Sequence, residues 1–242
     1  MIVCVTGGKG GPGATVLAAN LAVAVARTGR RCLLVDLDPF GGDLGAYLGP
    51  ERLDPRRGLL PLLKFERADV APEAIERESQ EVTSGLMVLL GGLRPAADLL
   101  VGRTTDVLRA ADRVADFVVA DLGRTVPSPA LDGLSQARIV FLAARADLQG
   151  ALAAERALSL IGKQAPVRIV ATRVRRRRVA DVTELAEALG RPVAASMPEL
   201  KVPVRVNHRR RLRRALDKLA GELDEAPEVT ESGRGELREV VA

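Results

Sequence analysis

Short apolar runs of strand length alternate along this chain with segments whose apolar residues recur at helical spacing. Such runs are typical of parallel strands buried on both faces. Strands that alternate with helices imply right-handed crossovers and a mostly parallel sheet. We therefore predict an α/β fold of three layers, a twisted and mostly parallel sheet with helices on both faces. The predicted strands are 2–6, 31–36, 86–90, 117–121, 138–143, 167–172 and 192–196, and the predicted helices are 15–28, 71–79, 104–115, 147–161, 179–189 and 209–223.

The last predicted helix is amphipathic, with Leu212, Leu216, Leu219 and Leu223 along one face. The residues that follow are acidic and interrupted by proline and glycine, which disfavours insertion beside anionic lipids. We expect the leucine face to pack on the domain. The sequence thus predicts one domain over residues 1–225 and an acidic, disordered tail over residues 226–242.

Length and composition allow one sizeable core, since 47% of the 242 residues are hydrophobic. No apolar run reaches the roughly 20 residues that a membrane span needs. A glycine loop interrupts the apolar start at Gly7, so we also expect no signal peptide. These features predict a cytoplasmic protein without a transmembrane segment.

The net charge of +5 hides a division along the chain. From Glu222 onward, seven acidic residues face two arginines, so this region is −5 and the rest is +10. A basic body favours an acidic partner such as DNA, anionic lipid or an acidic protein surface. The arginines that form two candidate DNA or partner clusters are Arg175, Arg176, Arg177 and Arg178, and then Arg209, Arg210, Arg211, Arg213 and Arg214.

These clusters favour binding of double-stranded DNA through its phosphates, without sequence reading. Aromatic content is 2% with no tryptophan, so base stacking on single strands is not expected. The alternative is a solvated surface, because arginine dominates over lysine throughout this chain.

The first fifteen residues, MIVCVTGGKGGPGAT, pass from an apolar strand through a glycine-rich turn into a helix. Glycines let the backbone approach an anion closely, and a helix N-terminus adds partial positive charge. The stretch therefore predicts a phosphate-binding loop. A lysine normally stands just before the Ser/Thr of such a loop, and here that position is Ala14.

Aspartates follow two of the buried strands. Asp36 and Asp38 close the strand 31–36, and Asp121 closes the strand 117–121. In open α/β sheets, ligands bind at the carboxyl ends of the strands, so these carboxylates should stand beside the glycine loop. The alternative is that a strand-end aspartate only caps a turn.

The loop and the segment LLVDLDP resemble the KGGxGK[ST] and hhhDxD motifs of the ParA/MinD family of deviant P-loop NTPases. The resemblance implies ATP or ADP and Mg²⁺ as ligands, and a homodimer closed through a nucleotide sandwich. It implies catalytic roles for Lys9, which would reach the partner's phosphates, and for Asp38, which would orient the attacking water. It also implies that Thr15, Asp36 and Asp121 serve the metal.

The nucleotide-binding residues implied by the same resemblance come from the loop and from two later strand ends. Thr172 stands where relatives usually carry an asparagine beside the adenine. The full set is Lys9, Gly10, Gly11, Pro12, Gly13, Ala14, Thr15, Val16, Thr172, Arg173 and Pro198.

Because Ala14 replaces the second lysine of the motif, the chain resembles degenerate members of the family, and CpaE/TadZ-like proteins come closest. We therefore expect an ATP-binding, weakly or non-hydrolysing scaffold that localises a Tad pilus, a secretion apparatus or a septum site, with recruitment to the pole, septum or nucleoid. Its partner would then be a pilus, secretion or division protein. One alternative is an active ParA-type ATPase that partitions DNA or cargo, and another is an interaction module that has lost nucleotide.

Overall fold

The computed structural model describes most of the chain. The described residues are 1–11, 13–40, 42, 44–49, 51, 53–65, 70–91, 100–125, 129–175, 180–199 and 210–225.

The centre of the fold is an eight-stranded sheet with the order β3-β4-β2-β5-β1-β6-β7-β8. Every neighbouring pair is parallel except β3 and β4, which are antiparallel. All residues of β1 and β2 are buried, as expected for apolar strands covered on both faces. The strands are β1 (Ile2–Gly7), β2 (Cys32–Asp36), β3 (Gln80–Thr83), β4 (Leu86–Leu89), β5 (Phe117–Arg124), β6 (Ile139–Arg145), β7 (Val167–Val174) and β8 (Val193–Pro198).

Helices connect the strands and cover the sheet. The described helices are α1 (Ala14–Ala26), α2 (Leu44–Leu48), α3 (Leu59–Phe65), α4 (Pro72–Glu78), α5 (Thr104–Val114), a 3₁₀ helix (Pro129–Gln136), α6 (Leu148–Ile161), α7 (Ala180–Leu189) and α8 (Arg210–Glu225).

The core lies on both faces of the sheet because successive side chains of a strand point to opposite sides. Val3 and Val5 of β1 pack in one cluster with α1 and α8. Ile2 and Cys4, the alternate residues, pack in a second cluster with α3, α4 and α5. The predicted fold of three layers is therefore confirmed, and all seven predicted strands are present.

The sequence analysis missed β3 and the short helices α2 and α3. Three of the four β3 residues are polar, and the strand pairs only with β4 at the edge of the sheet. An edge strand needs no continuous apolar run, so the pattern that revealed the central strands could not reveal this one.

Helix α8 packs on the domain through its leucine face, as predicted. Leu212, Leu216, Leu219 and Leu223 are all buried and join the cluster that contains α1. The Lys218 ammonium donates a hydrogen bond of 3.0 Å to the Ala194 carbonyl of β8. No helix within the described residues is long and apolar enough to cross a membrane. The predicted tail, 226–242, lies outside the described residues.

Candidate functional site

The glycine loop lies at the centre of the sheet, between the carboxyl ends of three strands. The register sets Gly7 beside Arg124 of β5 and beside Ala143 of β6. Gly11 and Gly13 have φ of 72° and 92°, in the left-handed region that favours glycine. The loop therefore turns sharply between β1 and α1.

The N-terminus of α1 suits an anion. Gly13 is its N-cap, no side chain caps it, and no acidic residue stands in its first turn. The partial positive charge of this helix end is therefore left for a ligand. These features fit the phosphates of ATP or ADP.

Ala14 is the first residue of α1 and is 4% exposed. Its methyl group offers no charge at the position where the predicted motif has a lysine. The following predicted residues, Thr15 and Val16, are half-buried in the first turn of α1. Pro12, also predicted to bind nucleotide, lies outside the described residues.

Lys9 extends from the loop to the N-terminal turn of α6. Its ammonium donates a hydrogen bond of 3.2 Å to Gln149 Oε1 at an exposed position. The loop also packs closely on α6 at Gly8, where a Cβ atom would clash with the backbone of Ala153. The loop glycines thus include one, Gly8, whose role is packing.

Asp36 and Asp121 face each other across the register of β2 and β5. Both are buried, with 2% and 1% exposure. The Asp36 Oδ1 atom accepts the Asp38 N–H at 3.2 Å, and the Asp121 Oδ1 atom accepts the Gly123 N–H at 3.0 Å. Burial raises the pKa of Asp36 well above its ordinary value, and the nearby carboxylates of Asp121 and Asp38 raise it further.

Asp38 follows β2 and reaches the end of β5. Its Oδ1 atom accepts the Phe40 N–H at 2.9 Å. Its carboxylate lies against Gly123, where an added Cβ atom would come within 2.8 Å of Asp38 Oδ1 and closer still to other carboxylate atoms. Gly123 has a φ of 63°. Gly123 is therefore required by both its backbone conformation and the space that Asp38 occupies.

The predicted metal residues converge only in part. Asp36 and Asp121 lie together, and Thr15 lies in the first turn of α1, which follows the glycine loop. Within the described residues, no three His, Cys, Asp or Glu side chains are arranged to hold a metal ion. Mg²⁺ commonly binds through one or two carboxylates together with substrate phosphates and waters. The residues therefore fit Mg²⁺ that arrives with a nucleotide.

The other strand ends place Thr172 and Arg173 beside the loop. Thr172 is buried, donates a hydrogen bond of 3.2 Å to the Ala144 carbonyl, and approaches Gly13 through its methyl group. Its hydroxyl proton is therefore used within the sheet. Arg173 is exposed and has a φ of 54°, unusual for a residue with a side chain. Pro198, half-buried at the end of β8, pairs with Val174.

The sequence analysis missed two residues of this region, Arg124 and Phe40. Arg124 is the last residue of β5, and the centre of its guanidinium lies 4.3 Å from the ring centroid of Phe40. Such cation–π contacts fix an arginine over an aromatic face. The only sequence signal was the Leu-Gly-Arg that follows Asp121, and its meaning depends on the sheet register.

The arginines of the two predicted clusters are only partly described. The Arg175 guanidinium forms an ion pair of 3.1 Å with Glu199, and that of Arg213 one of 3.5 Å with Asp217. Arg214 is exposed on α8. Arg176, Arg177, Arg178 and Arg209 lie outside the described residues, as do the side chains of Arg210 and Arg211.

Comparisons with known proteins agree with this geometry. Residues 3–211 match a family model described as the CobQ/CobB/MinD/ParA nucleotide binding domain. An uncharacterized protein of Mycobacterium tuberculosis is 30% identical over 196 residues, which are 81% of this chain and 54% of that protein. The chain thus spans about half the length of the curated relative that it matches.

Two solved structures share the fold. A ParA family ATPase from Chlorobium tepidum has a TM-score of 0.74 at 20% identity, over 90% of this chain and 98% of that one. The septum site-determining protein MinD of Pyrococcus horikoshii, complexed with Mg-ADP, has a TM-score of 0.72 at 19% identity, over 93% of this chain and 95% of that one.

Proposed function

Since this chain belongs to the CobQ/CobB/MinD/ParA family of nucleotide-binding domains, we propose that it binds ATP or ADP with Mg²⁺ and hydrolyses ATP weakly or not at all. Bound nucleotide would close a homodimer, and the dimer would act as a positioning or scaffold protein. The observation that supports this proposal is the glycine loop, which keeps its left-handed glycines and uncapped helix end but has a buried alanine at position 14.

The missing ammonium affects hydrolysis more than binding. A charge-assisted hydrogen bond contributes about 1.5–3 kcal/mol. An ammonium on the β- and γ-phosphates would also offset charge that develops in the transition state of phosphoryl transfer. The main-chain amides and the helix end that remain can still hold the ground-state nucleotide. Weak binding with little turnover follows.

The proposed dimer would use Lys9 at the exposed edge of the loop. Among the described residues, the Lys9 ammonium donates a hydrogen bond to Gln149, at an exposed position where water competes for it. Exchanging this bond for a partner's phosphate would cost little. The second copy would therefore add a further cation to the bound phosphates.

The biological role that fits a non-hydrolysing member is localisation. By the resemblance of its loop to CpaE/TadZ-like proteins, we propose that the chain marks the place of a Tad-type pilus, a secretion apparatus or a septum site. Its partner would then be a component of that apparatus, recruited when nucleotide closes the dimer.

Light scattering and phosphate release together test the proposal. We expect the mass in solution to double when Mg·ATP is added, with phosphate release at the background of the buffer. The variant Lys9→Ala should still bind nucleotide but should stay at the monomer mass. A mass that does not respond to nucleotide would contradict the proposed dimer and favour a nucleotide-free interaction module.

The second candidate is an active ParA-type ATPase that holds DNA. It is favoured by α8, whose leucines are buried so that Arg213 and Arg214 face solvent. The Asp217 carboxylate, which pairs with Arg213, offsets part of the positive charge on this face of α8, and this weakens the argument. Phosphate release that double-stranded DNA stimulates, and that falls steeply with salt, would support the second candidate over the first.

A further inference from the structure

We propose that Arg124 and Arg173 supply the positive charge that the glycine loop lacks at position 14, and that Arg124, from β5, is a phosphate-binding residue of this site. The inference rests on the proposed binding of nucleotide. It assigns the role of the absent ammonium to two guanidiniums that approach the loop from opposite sides.

The distances place both arginines against the loop. A Cβ atom added at Gly10 would lie 3.5 Å from Arg124 Cδ and 3.9 Å from Arg124 Nη1. A Cβ atom added at Gly11 would lie 3.7 Å from Arg173 Nη2. Gly10 and Gly11 are adjacent and exposed, so the two side chains flank the same short stretch of backbone. A polyphosphate bound by that backbone would lie within reach of both.

The sheet explains why the arginines approach from two sides. Strand β1, which leads into the loop, lies between β5 and β6, and β7 follows β6. Arg124 is the register partner of Gly7 at the start of the loop. Arg173 is one residue beyond Thr172, which pairs with Arg145 of β6. Neither arginine is near the loop in sequence, and both are brought there by the parallel register.

Two local features hold these side chains. Arg124 stacks on Phe40, a residue that is 45% exposed and whose backbone N–H donates a hydrogen bond to Asp38. Arg173 has a φ of 54°, a conformation that costs energy for a residue with a side chain and that is frequent at ligand-binding sites. The positive charges of Arg124 and Arg173 also repel each other near this loop, so binding of an anion between them would be favourable.

Guanidinium chemistry suits this role. Arginine is always charged and binds phosphate in a planar, bidentate manner that lysine cannot reproduce. A guanidinium above the loop would contact phosphate oxygens from the solvent side. The cis lysine of the predicted motif would instead reach them from the N-terminus of α1. The two arrangements place similar charge on the ligand from different elements.

Phe40→Trp provides a direct assay, since the chain has no tryptophan of its own. Tryptophan preserves the stack, because it is the best aromatic partner for a guanidinium. Its emission should change when Mg·ATP or inorganic tripolyphosphate binds beside Arg124. In this background, Arg124→Gln should weaken binding of both ligands at least tenfold, and Arg124→Gln with Arg173→Gln should weaken it further. Calorimetry of Arg124→Gln in the natural background should give the same loss.

Arg30→Gln is the matched control. Arg30 also stacks on a phenylalanine, Phe117, with 5.9 Å between the guanidinium and the ring centroid, but at the opposite end of the sheet. The control variant loses the same charge and the same type of contact. We expect its affinity for Mg·ATP to stay within twofold of the affinity of the unaltered chain. Adding Ala14→Lys to Arg124→Gln should recover most of the lost affinity.

The outcomes separate this inference from the proposed function. If calorimetry shows that the unaltered chain binds neither ligand, the nucleotide proposal fails and this inference falls with it. If the unaltered chain binds Mg·ATP and Arg124→Gln binds it equally well, the assignment of Arg124 is wrong while nucleotide binding stands. A loss of affinity for Mg·ATP with unchanged melting temperature and circular dichroism supports the assignment. If Arg124→Gln instead unfolds, Arg124→Lys decides, because it keeps the positive charge and should bind Mg·ATP better than Arg124→Gln.

Discussion

Replacing Gly123 with alanine tests the contact that joins Asp38 to the end of β5. The new methyl group would come within 2.8 Å of Asp38 Oδ1 and closer to other atoms of that carboxylate, so the Asp38 side chain would have to move. The backbone there also has a φ of 63°. Placing a residue with a side chain in this conformation lowers the free energy of unfolding by about 1–2 kcal/mol, and displacing a packed neighbour typically lowers it by about 1–3 kcal/mol more.

A matched variant separates these two costs. Gly190 has a φ of 58°, and no atom lies within 4 Å of the position that a Cβ atom would take. Gly190→Ala should therefore show only the backbone cost. Gly123→Ala should melt lower than Gly190→Ala by about 2–12 °C, since 1 kcal/mol shifts the melting temperature of a chain of this size by about 2–4 °C.

Thermal denaturation followed by circular dichroism measures both variants under the same conditions. If Asp38 orients the attacking water, as the resemblance implies, Gly123→Ala should also lose any residual phosphate release, because its Asp38 carboxylate is displaced. Equal melting temperatures for the two variants would refute the contact between Asp38 and Gly123.

Three further predictions follow from burial and charge. Ala14→Lys should raise the rate of phosphate release by about tenfold or more, in a steady-state phosphate assay, because one charge-assisted hydrogen bond contributes about 1.5–3 kcal/mol; an unchanged rate would mean that another defect limits hydrolysis. Burial raises the folded-state pKa of Asp36 above its unfolded value, so its contribution to stability is present at low pH and is lost as pH rises through the folded pKa. Without Mg²⁺, the unaltered chain should therefore lose stability relative to Asp36→Asn as the pH rises above about 4, the ordinary pKa of an aspartate, and a difference in melting temperature that does not change with pH would contradict the pKa shift. Leu219→Ala on α8 should cost about 2–5 kcal/mol of unfolding free energy in urea denaturation, because this leucine is fully buried. Leu160→Ala, at a site with 41% exposure, should cost far less, and equal losses would show that α8 is not packed on the sheet.

The fold could be predicted from the sequence because its central strands are continuous apolar runs. The run from Ile2 and the run ending at Asp36 are buried along their whole length, and periodicity detects such strands. Strand β3 was not predicted because Gln80, Glu81 and Thr83 are polar and pair on one side only. Strand β3 forms because it pairs with β4, and no local pattern in the sequence signals that pairing.

The candidate site was predictable where its chemistry is local in sequence. The glycine loop and the aspartates that end two strands were found because each motif is a few residues long. Arg124 was not found, because its place beside the loop follows from the register between β1 and β5. The close approach of Asp38 to Gly123 is likewise a contact between separate strands, and no spacing along the chain reveals it.

Calorimetric titration of Mg·ATP into the unaltered chain tests the central claim most directly. The claim is that main-chain amides and neighbouring arginines bind a polyphosphate without a lysine at position 14. We predict saturable heat with one nucleotide per chain and phosphate release at background. No heat at millimolar nucleotide would contradict the claim and leave a fold that acts through protein contacts alone.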